Sequence, residues 1–326
     1  MSLLVFALRR LFTSVPSLLI ILVGVFVLLQ FAPGDTVDAL LAQMGGGDIA
    51  VIENLRHFYG LDASATVRLG RYLWRLAQLD LGFSAIYGKP VAEVIIERLP
   101  VTLLLMASSL LLALLGGIVL GTMAARRVNK WPDTVISTVG LLFYATPSFW
   151  LGLMGMVVFA VKFGWLPSGG YEELGAGHTG LWRLLDIARH LVLPTLTLAL
   201  IFLSIYLRIM RASMLEVSTM DFVQTARAKG VDETRIVTRH VLRNALLPMI
   251  TLVGLHASTM LGGSCVVESV FTLPGLGRLA YESVVQRDLN TLLGIVFISA
   301  LLVISVNFLV DLLYARLDPR IREKGR

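Results

Sequence analysis

Charge is what this sequence has least of: only 15% of its 326 residues are Asp, Glu, Lys or Arg, against about 25% in soluble domains. Cysteine is nearly absent too. Cys265 is the only one, so no internal disulfide is available, and it reads as a small buried apolar residue rather than a reactive thiol. No phosphate-binding loop is present, because Gly45, Gly46 and Gly47 are followed by no Lys-Ser or Lys-Thr pair and read as a flexible turn. The five histidines, His57, His178, His190, His240 and His256, are scattered, and no His, Cys and acidic cluster has zinc spacing. These gaps leave no signature of a nucleotide-hydrolysing or zinc-dependent site, so no catalytic, cofactor-binding or metal-binding residues are assigned.

In place of charge there is hydrocarbon. Hydrophobic residues make up 56% of the chain and mean hydropathy is +0.79. Six apolar runs approach the ~20 residues that cross a bilayer as a helix: Leu11 to Phe31, Pro100 to Met123, Thr134 to Val161, Leu191 to Met210, Leu246 to Glu268 and Leu292 to Leu313. Each is expected to be helical, because backbone groups facing lipid have no other way to pair. The first run follows Arg9 and Arg10 and ends in Gln30-Phe31-Ala32-Pro33-Gly34 without a small-x-small cleavage site, so it reads as an uncleaved signal anchor with the amino terminus inside. That orientation places 17 of the 28 Lys and Arg on cytoplasmic segments, counted with Arg208 at the inner end of the fourth run, as positive-inside topology requires. The net charge of +6 is then explained by topology and by attraction to anionic lipid, not by nucleic acid.

The fold class expected is an all-α polytopic membrane protein. Residues 1-31 form the amino-terminal tail and first span, and 32-99 an extracytoplasmic helical cap. Residues 100-313 form the transmembrane core with a cytoplasmic loop at 211-247, and 314-326 a basic cytoplasmic tail. The cap has the pattern of two short amphipathic helices, Leu55 to Leu61 and Val67 to Leu79, separated at Gly60. Within the spans, Ala113, Gly117 and Gly121 recur every four residues, a small-residue face that lets another helix approach closely. Pro147, Pro194 and Pro248 each remove a backbone hydrogen bond and mark kinks or ends. Charged groups are sparse: Glu268 and Asp311 lie near span ends and His256 inside one, with Ser204, Ser258, Thr259 and Asn307 as the notable polar residues. An ion-coupled carrier needs carboxylates or broken helices at mid-membrane. No clear set is present, so the energy source lies elsewhere.

The cytoplasmic loop has the composition of a folded element. Asp221-Phe222-Val223-Gln224-Thr225-Ala226-Arg227-Ala228-Lys229 reads as a short helix with Asp221 as N-cap, Lys229 at the negative end of the helix dipole and Gly230 as a left-handed C-cap. Asp232 then caps a second helix running toward Leu247, with Ile236, Val237, Val241 and Leu242 on its apolar side. A helix this short needs tertiary support. Phe222 and Ala226 fall on one face with Thr225 beside them, which suits either packing on the chain's own membrane helices or docking into a groove on another protein; spacing alone leaves both open.

The stretch DFVQTARAKGVDETRIVTRHVLRNALLP resembles the EAA loop of ABC importer permeases. Gln224, Thr225 and Ala226 stand at the Glu-Ala-Ala triplet, Gly230 at the glycine, and Leu247 and Pro248 at the closing pair. The departures from the general triplet, the long gap before Pro248 and the ARAKG run are those of the dipeptide, oligopeptide and nickel branch. Tyr59 to Leu105 is similar to that branch's first-loop signature, though Ala63 and Gln78-Leu79-Asp80 depart from it. Val270 to Leu289 resembles the loop before its last helix, and LDPRIR its tail. The resemblance therefore covers nearly the whole chain.

That resemblance implies a bacterial inner-membrane permease subunit with both termini cytoplasmic, importing peptides or similar small solutes. Its implied partners are a second homologous permease, two ATPase subunits or one ATPase heterodimer that bind ATP and magnesium, and an extracytoplasmic substrate-binding protein. Asp221, Phe222, Gln224, Thr225, Ala226, Lys229 and Gly230 would then couple the ATPase to the helices, without being catalysts. His256, Ser258, Glu268, Pro274 and Gly275 are candidates for the solute path or its external mouth, Glu268 beside water and able to meet a cationic amino group. The competing classes are a six-helix channel, for which no filter loop is recognisable, and an ion-coupled secondary carrier. The solute is not specified by this chain.

Overall fold

The computed structural model describes the backbone of residues 3–31, 62–173 and 175–317, with isolated positions between 37 and 57, and side chains from residue 15 to residue 310 of these. The expected Gly45 to Gly47 turn, most of the first cap helix with Gly60, the side chains of Arg9, Arg10 and Asp311, and the carboxy-terminal tail from Asp318 lie outside the described residues.

Helices dominate. In chain order they are α1 (Leu3–Phe31), α2 (Ala65–Ala77), α3 (Val91–Arg126), α4 (Trp131–Ala145), α5 (Ser148–Gly155), α6 (Gly180–Ser218), α7 (Asp221–Ala228), α8 (Glu233–Arg235), α9 (Leu242–Ala245), α10 (Leu247–Val270), α11 (Leu276–Val285) and α12 (Leu289–Leu317). Wider π-type turns carry α5 on through Met156–Lys162 and join α8 to α9 over Ile236–Val241. A two-stranded antiparallel hairpin, β1 (Phe83–Ser84) and β2 (Lys89–Pro90), precedes α3 and pairs Phe83 with Pro90.

Among the described residues, four helices are long and apolar enough to cross a membrane: Val91–Arg126, Gly180–Ser218, Leu247–Val270 and Leu289–Val310. The run expected as one span from Thr134 to Val161 is instead two helices, α4 and the α5 segment, bent by 105°. The cause is local. Pro147 has no N–H to give and disfavours helical geometry in the residue before it, and Thr146 is extended at φ −91°, ψ 130°. With each bent pair counted as one span the total is five, and α1 adds a shorter apolar stretch, Val15–Phe31.

The described chain divides into two compact units. One comprises the described residues up to Pro100 and Gly275–Phe308. In it, Val91, Val94 and Ile95 of α3 pack on Leu276 and Leu279 of α11 and Ile295 of α12, while Leu22, Leu76 and Phe297 form a second cluster. The cap helix expected from Val67 to Leu79 is α2, and its Tyr72 stacks on Phe26 with centroids 6.2 Å apart. Asp288 is the N-cap of α12, accepting from the Thr291 N–H (3.2 Å), from the Thr291 hydroxyl (2.7 Å) and from the Ser84 hydroxyl of the hairpin.

The other unit is built from Val101–Pro274 and the helix turn beginning at Leu309. Its pillar is α6, whose apolar window is 56% buried against 22–33% for the other three. The small-residue face of α3 meets it as expected: a Cβ added at Gly121 would lie 2.7 Å from both the Leu207 carbonyl oxygen and Met210 Cβ, and one at Gly117 would collide with Tyr206. Only glycine lets these backbones approach so closely.

Candidate functional site

The segment after α6 folds as a compact helix pair whose first member is held by its own core. Val223 is 0% and Ala226 9% exposed, and both belong to the cluster that includes Tyr206, Met210, Met214 and Val217 of α6 with Ile236, Val241 and Ala245. Ala226 therefore does not share an outward face with Phe222, as the spacing suggested. The pair three residues apart, Val223 and Ala226, is what the short helix buries, because one buried stripe is the support a helix of eight residues needs. The other side is open: Asp221, Phe222, Gln224, Thr225 and Lys229 are exposed, Phe222 at 42%.

The ends of α7 are set by local chemistry. Met220, extended at φ −69°, ψ 150°, is the N-cap, so Asp221 stands one residue further in, where its carboxylate still faces the positive end of the helix dipole. At the other end Gly230 has φ +75°, its N–H donates to the Arg227 carbonyl (2.9 Å), and the Val231 N–H donates to the Ala226 carbonyl (3.2 Å). Those two bonds are a Schellman closure, with Lys229 as C-cap and Gly230 in the left-handed position. Nothing lies within 4 Å of a Cβ added at Gly230. The demand for glycine is thus one of backbone conformation, not of space.

The corner is then locked from outside. Asp232 accepts from the N–H groups of Thr234 (2.9 Å) and Arg235 (3.3 Å), capping α8 as expected. Arg227 donates to both Glu233 oxygens at 3.2 and 2.8 Å, and Arg227 and Gln224 both reach the Ser218 carbonyl at the end of α6. The Arg227 guanidinium holds the Glu233 carboxyl below its ordinary value. The expected second helix ends at Ala245 rather than running into Leu247, and a wide turn at Ile236–Val241 lets Ile236 and Val241 both face the core. Leu247 and Pro248 open α10, where proline suits the first turn because its missing N–H would be unpaired anyway.

The path candidates are not brought together. His256 and Glu268 lie twelve residues apart on α10, about 18 Å along the axis. His256 is 8% exposed between the rings of Phe202 and Tyr206, at 5.2 and 5.1 Å, and Ser258 donates to the Gly254 carbonyl in its own helix. Glu268 is 0% exposed and accepts from the Thr102 hydroxyl at 2.8 Å, so it does not stand beside water as expected; α3 covers it. Gly275 is buried as the N-cap of α11, and Pro274 is half-buried before it.

One polar constellation was absent from the sequence-based candidates. Asp133 at the start of α4 accepts from both Arg211 Nε (2.6 Å) and Nη2 (2.7 Å), across 78 residues of chain. Asp133 lies one residue before an apolar run and Arg211 one residue after another. Charges at the edges of two spans are the only sequence signal for such a pair.

Comparison with known proteins agrees with this architecture. Residues 117–323 match the family described as binding-protein-dependent transport system inner membrane component. The oligopeptide transport system permease protein of Bacillus subtilis is 40% identical over 318 residues, covering 97% of this chain and 98% of that protein. The glutathione transport system permease protein of Salmonella paratyphi A is 39% identical over 319 residues, covering 98% and 99%. Among solved structures, an inward-facing methionine ABC transporter chain superposes with a TM-score of 0.56 at 17% identity, over 70% of this chain and 97% of that one. An amino acid ABC transporter chain does so with 0.51 at 19%, over 69% and 94%. At those identities the structures speak to the fold alone. The chain belongs to the binding-protein-dependent transport system inner membrane components, and is a multi-pass inner-membrane permease subunit of a peptide-type ABC importer, not an enzyme.

Proposed function

We propose that α7, with Gly230 and the corner after it, is the cytoplasmic docking element through which a separate ATPase drives this permease to import peptides or similar small solutes. The observation that supports this reading is the division of α7 into two faces. Val223 and Ala226 fasten it to the membrane helices through α6, while Phe222, Gln224 and Thr225 remain outside. A docking helix must be both gripped and rigidly attached, because a partner shifts the membrane helices only by as much as its contacts differ between their two states. Phe222 is the anchor, Asp221, Gln224, Thr225 and Lys229 surround it, and Gly230, Leu247 and Pro248 define the lever behind it.

In the assembled importer this chain pairs with a second, homologous permease. ATP and magnesium sit on the ATPase subunits, with none in this chain, and a substrate-binding protein delivers solute outside. Both termini are cytoplasmic. The segment from Val270 to Leu289, with Pro274 and Gly275, lies at the external mouth, and His256, Ser258 and Glu268 support the path from α10. The test is ATP-driven uptake by the reconstituted complex. Phe222→Ala should weaken ATPase binding about tenfold or more, as loss of an aromatic anchor does, while this chain stays folded in the membrane. Undiminished ATPase binding and uptake would remove α7 from the interface.

A further inference from the structure

Alongside α4 and α6 runs an open-sided cavity of about 450 Å³. Its lining mixes apolar side chains such as Leu141 and Leu207 with the polar ones of Ser137, Thr138, Arg208 and Arg211. At its entrance Asp133 is saturated: besides the two Arg211 donors it accepts from the Asn129 N–H (2.9 Å) and the Ser137 hydroxyl (3.3 Å). Arg211 is neutralised by that pair. Arg208, three residues earlier on the same helix, has no carboxylate partner among the described residues; it is exposed, and its guanidinium lies 5.6 Å from the centroid of Tyr144, itself half-exposed. The exposed Thr138 of α4 adds a hydroxyl, and Ser204 of α6, whose hydroxyl donates to the Leu200 carbonyl, lines the same cavity. The charge of the cavity is therefore one positive unit in excess, and it resides on Arg208.

The direction of that side chain matters. Helical Cα–Cβ bonds tilt toward the helix N-terminus, which for α6 is the expected external end. An arginine near the end of a span ordinarily turns its head to the nearer water. Arg208 instead rests its guanidinium over the ring of Tyr144 on α4. An unpaired cation held inside a span faces a water-filled cavity and marks a route for ions or solutes.

We propose that this groove is the inner portion of the solute path and that Arg208 is an anion-binding station within it, taking the carboxylate of a peptide-sized solute, with Tyr144 holding the guanidinium in place. The inference rests on the importer reading above. A lipid phosphate offers the same charge and the same bidentate geometry. The exposed hydroxyl of Thr138 favours a wet path over an acyl chain.

The experiment uses the complete importer in phosphatidylcholine nanodiscs with Thr138→Cys, reading modification of that cysteine by a negatively charged methanethiosulfonate through peptide-level mass spectrometry. Labelling should be fast with Arg208 present and about tenfold slower with Arg208→Gln, the worth of one charge-assisted contact. Arg208→Lys should restore the rate. N-acetyl-trialanine should protect the cysteine, and its neutral C-terminal amide should not. Equal rates with and without Arg208, failure of lysine to restore labelling, or equal protection by acid and amide would overturn the proposal. So would protection by phosphatidylglycerol in the discs without any peptide, which would identify a lipid site. Labelling needs no ATP, so uptake that proves independent of ATP would sink the importer reading while leaving the groove result standing.

Discussion

Gly230 gives the sharpest prediction at the scale of single residues. Its φ of +75° is a conformation that a Cβ penalises by about 1 kcal/mol or more, and no neighbour stands where that Cβ would go. The order of damage should therefore follow left-handed tolerance, not size: Gly230→Asn mildest, Gly230→Ala intermediate, Gly230→Val worst. Uptake by the three variants at equal membrane levels measures it. Damage that followed side-chain volume alone would show that a contact, not the backbone, sets the requirement. Gly230 and Asp232 were legible in the sequence because caps and left-handed corners depend on a few adjacent residues. The burial of Ala226 was not. A helix of eight residues offers two stripes, and which one turns inward is decided by Tyr206, Met210 and Met214 from another helix.

Whole elements respond to packing and to charge at their ends. The approach of α3 to α6 leaves no room for a side chain at Gly121, so Gly121→Leu should force the helices apart, costing about 1–3 kcal/mol as overpacking does. A lower melting temperature of the detergent-purified chain would register it. The corner between α7 and α8 carries a smaller, pH-dependent contribution from Arg227 and Glu233. Because the Glu233 carboxyl is held below its ordinary 4.5, the pair stabilises the corner above that value and is lost as pH falls through the lowered one. For an exposed pair the effect is on the order of 0.5 kcal/mol. Glu233→Gln should abolish that acid dependence in hydrogen exchange of α7 without changing exchange at neutral pH by more than this amount. The break at Thr146 and Pro147 shows the same boundary of legibility: proline announces an interruption but not its angle of 105°.

At the scale of the molecule, the sequence carried the class well and the long-range pairings poorly. Apolar runs and the spaced glycines are local patterns: among the described residues four of the runs are long apolar helices, while the one from Thr134 to Val161 breaks into two. Asp133 with Arg211, and Thr102 with Glu268, join positions 78 and 166 residues apart, and no spacing rule connects them. Glu268 illustrates the cost of reading position without contacts. Standing near the end of a run it suggested water, yet α3 encloses it. What the whole molecule presents to a partner is equally a matter of contacts. A helix pair is gripped through Val223, Ala226, Ile236 and Val241 and leaves Phe222 outside.

The most direct measurement is site-specific photocrosslinking from position 222, and from 225 beside it, in the assembled importer in its native membrane. An ATPase subunit should be captured from both positions in high yield, with little or none from the buried position 223. Capture of lipid or of this chain alone from 222 and 225, with the ATPase found elsewhere on the permease, would contradict α7 as the docking element.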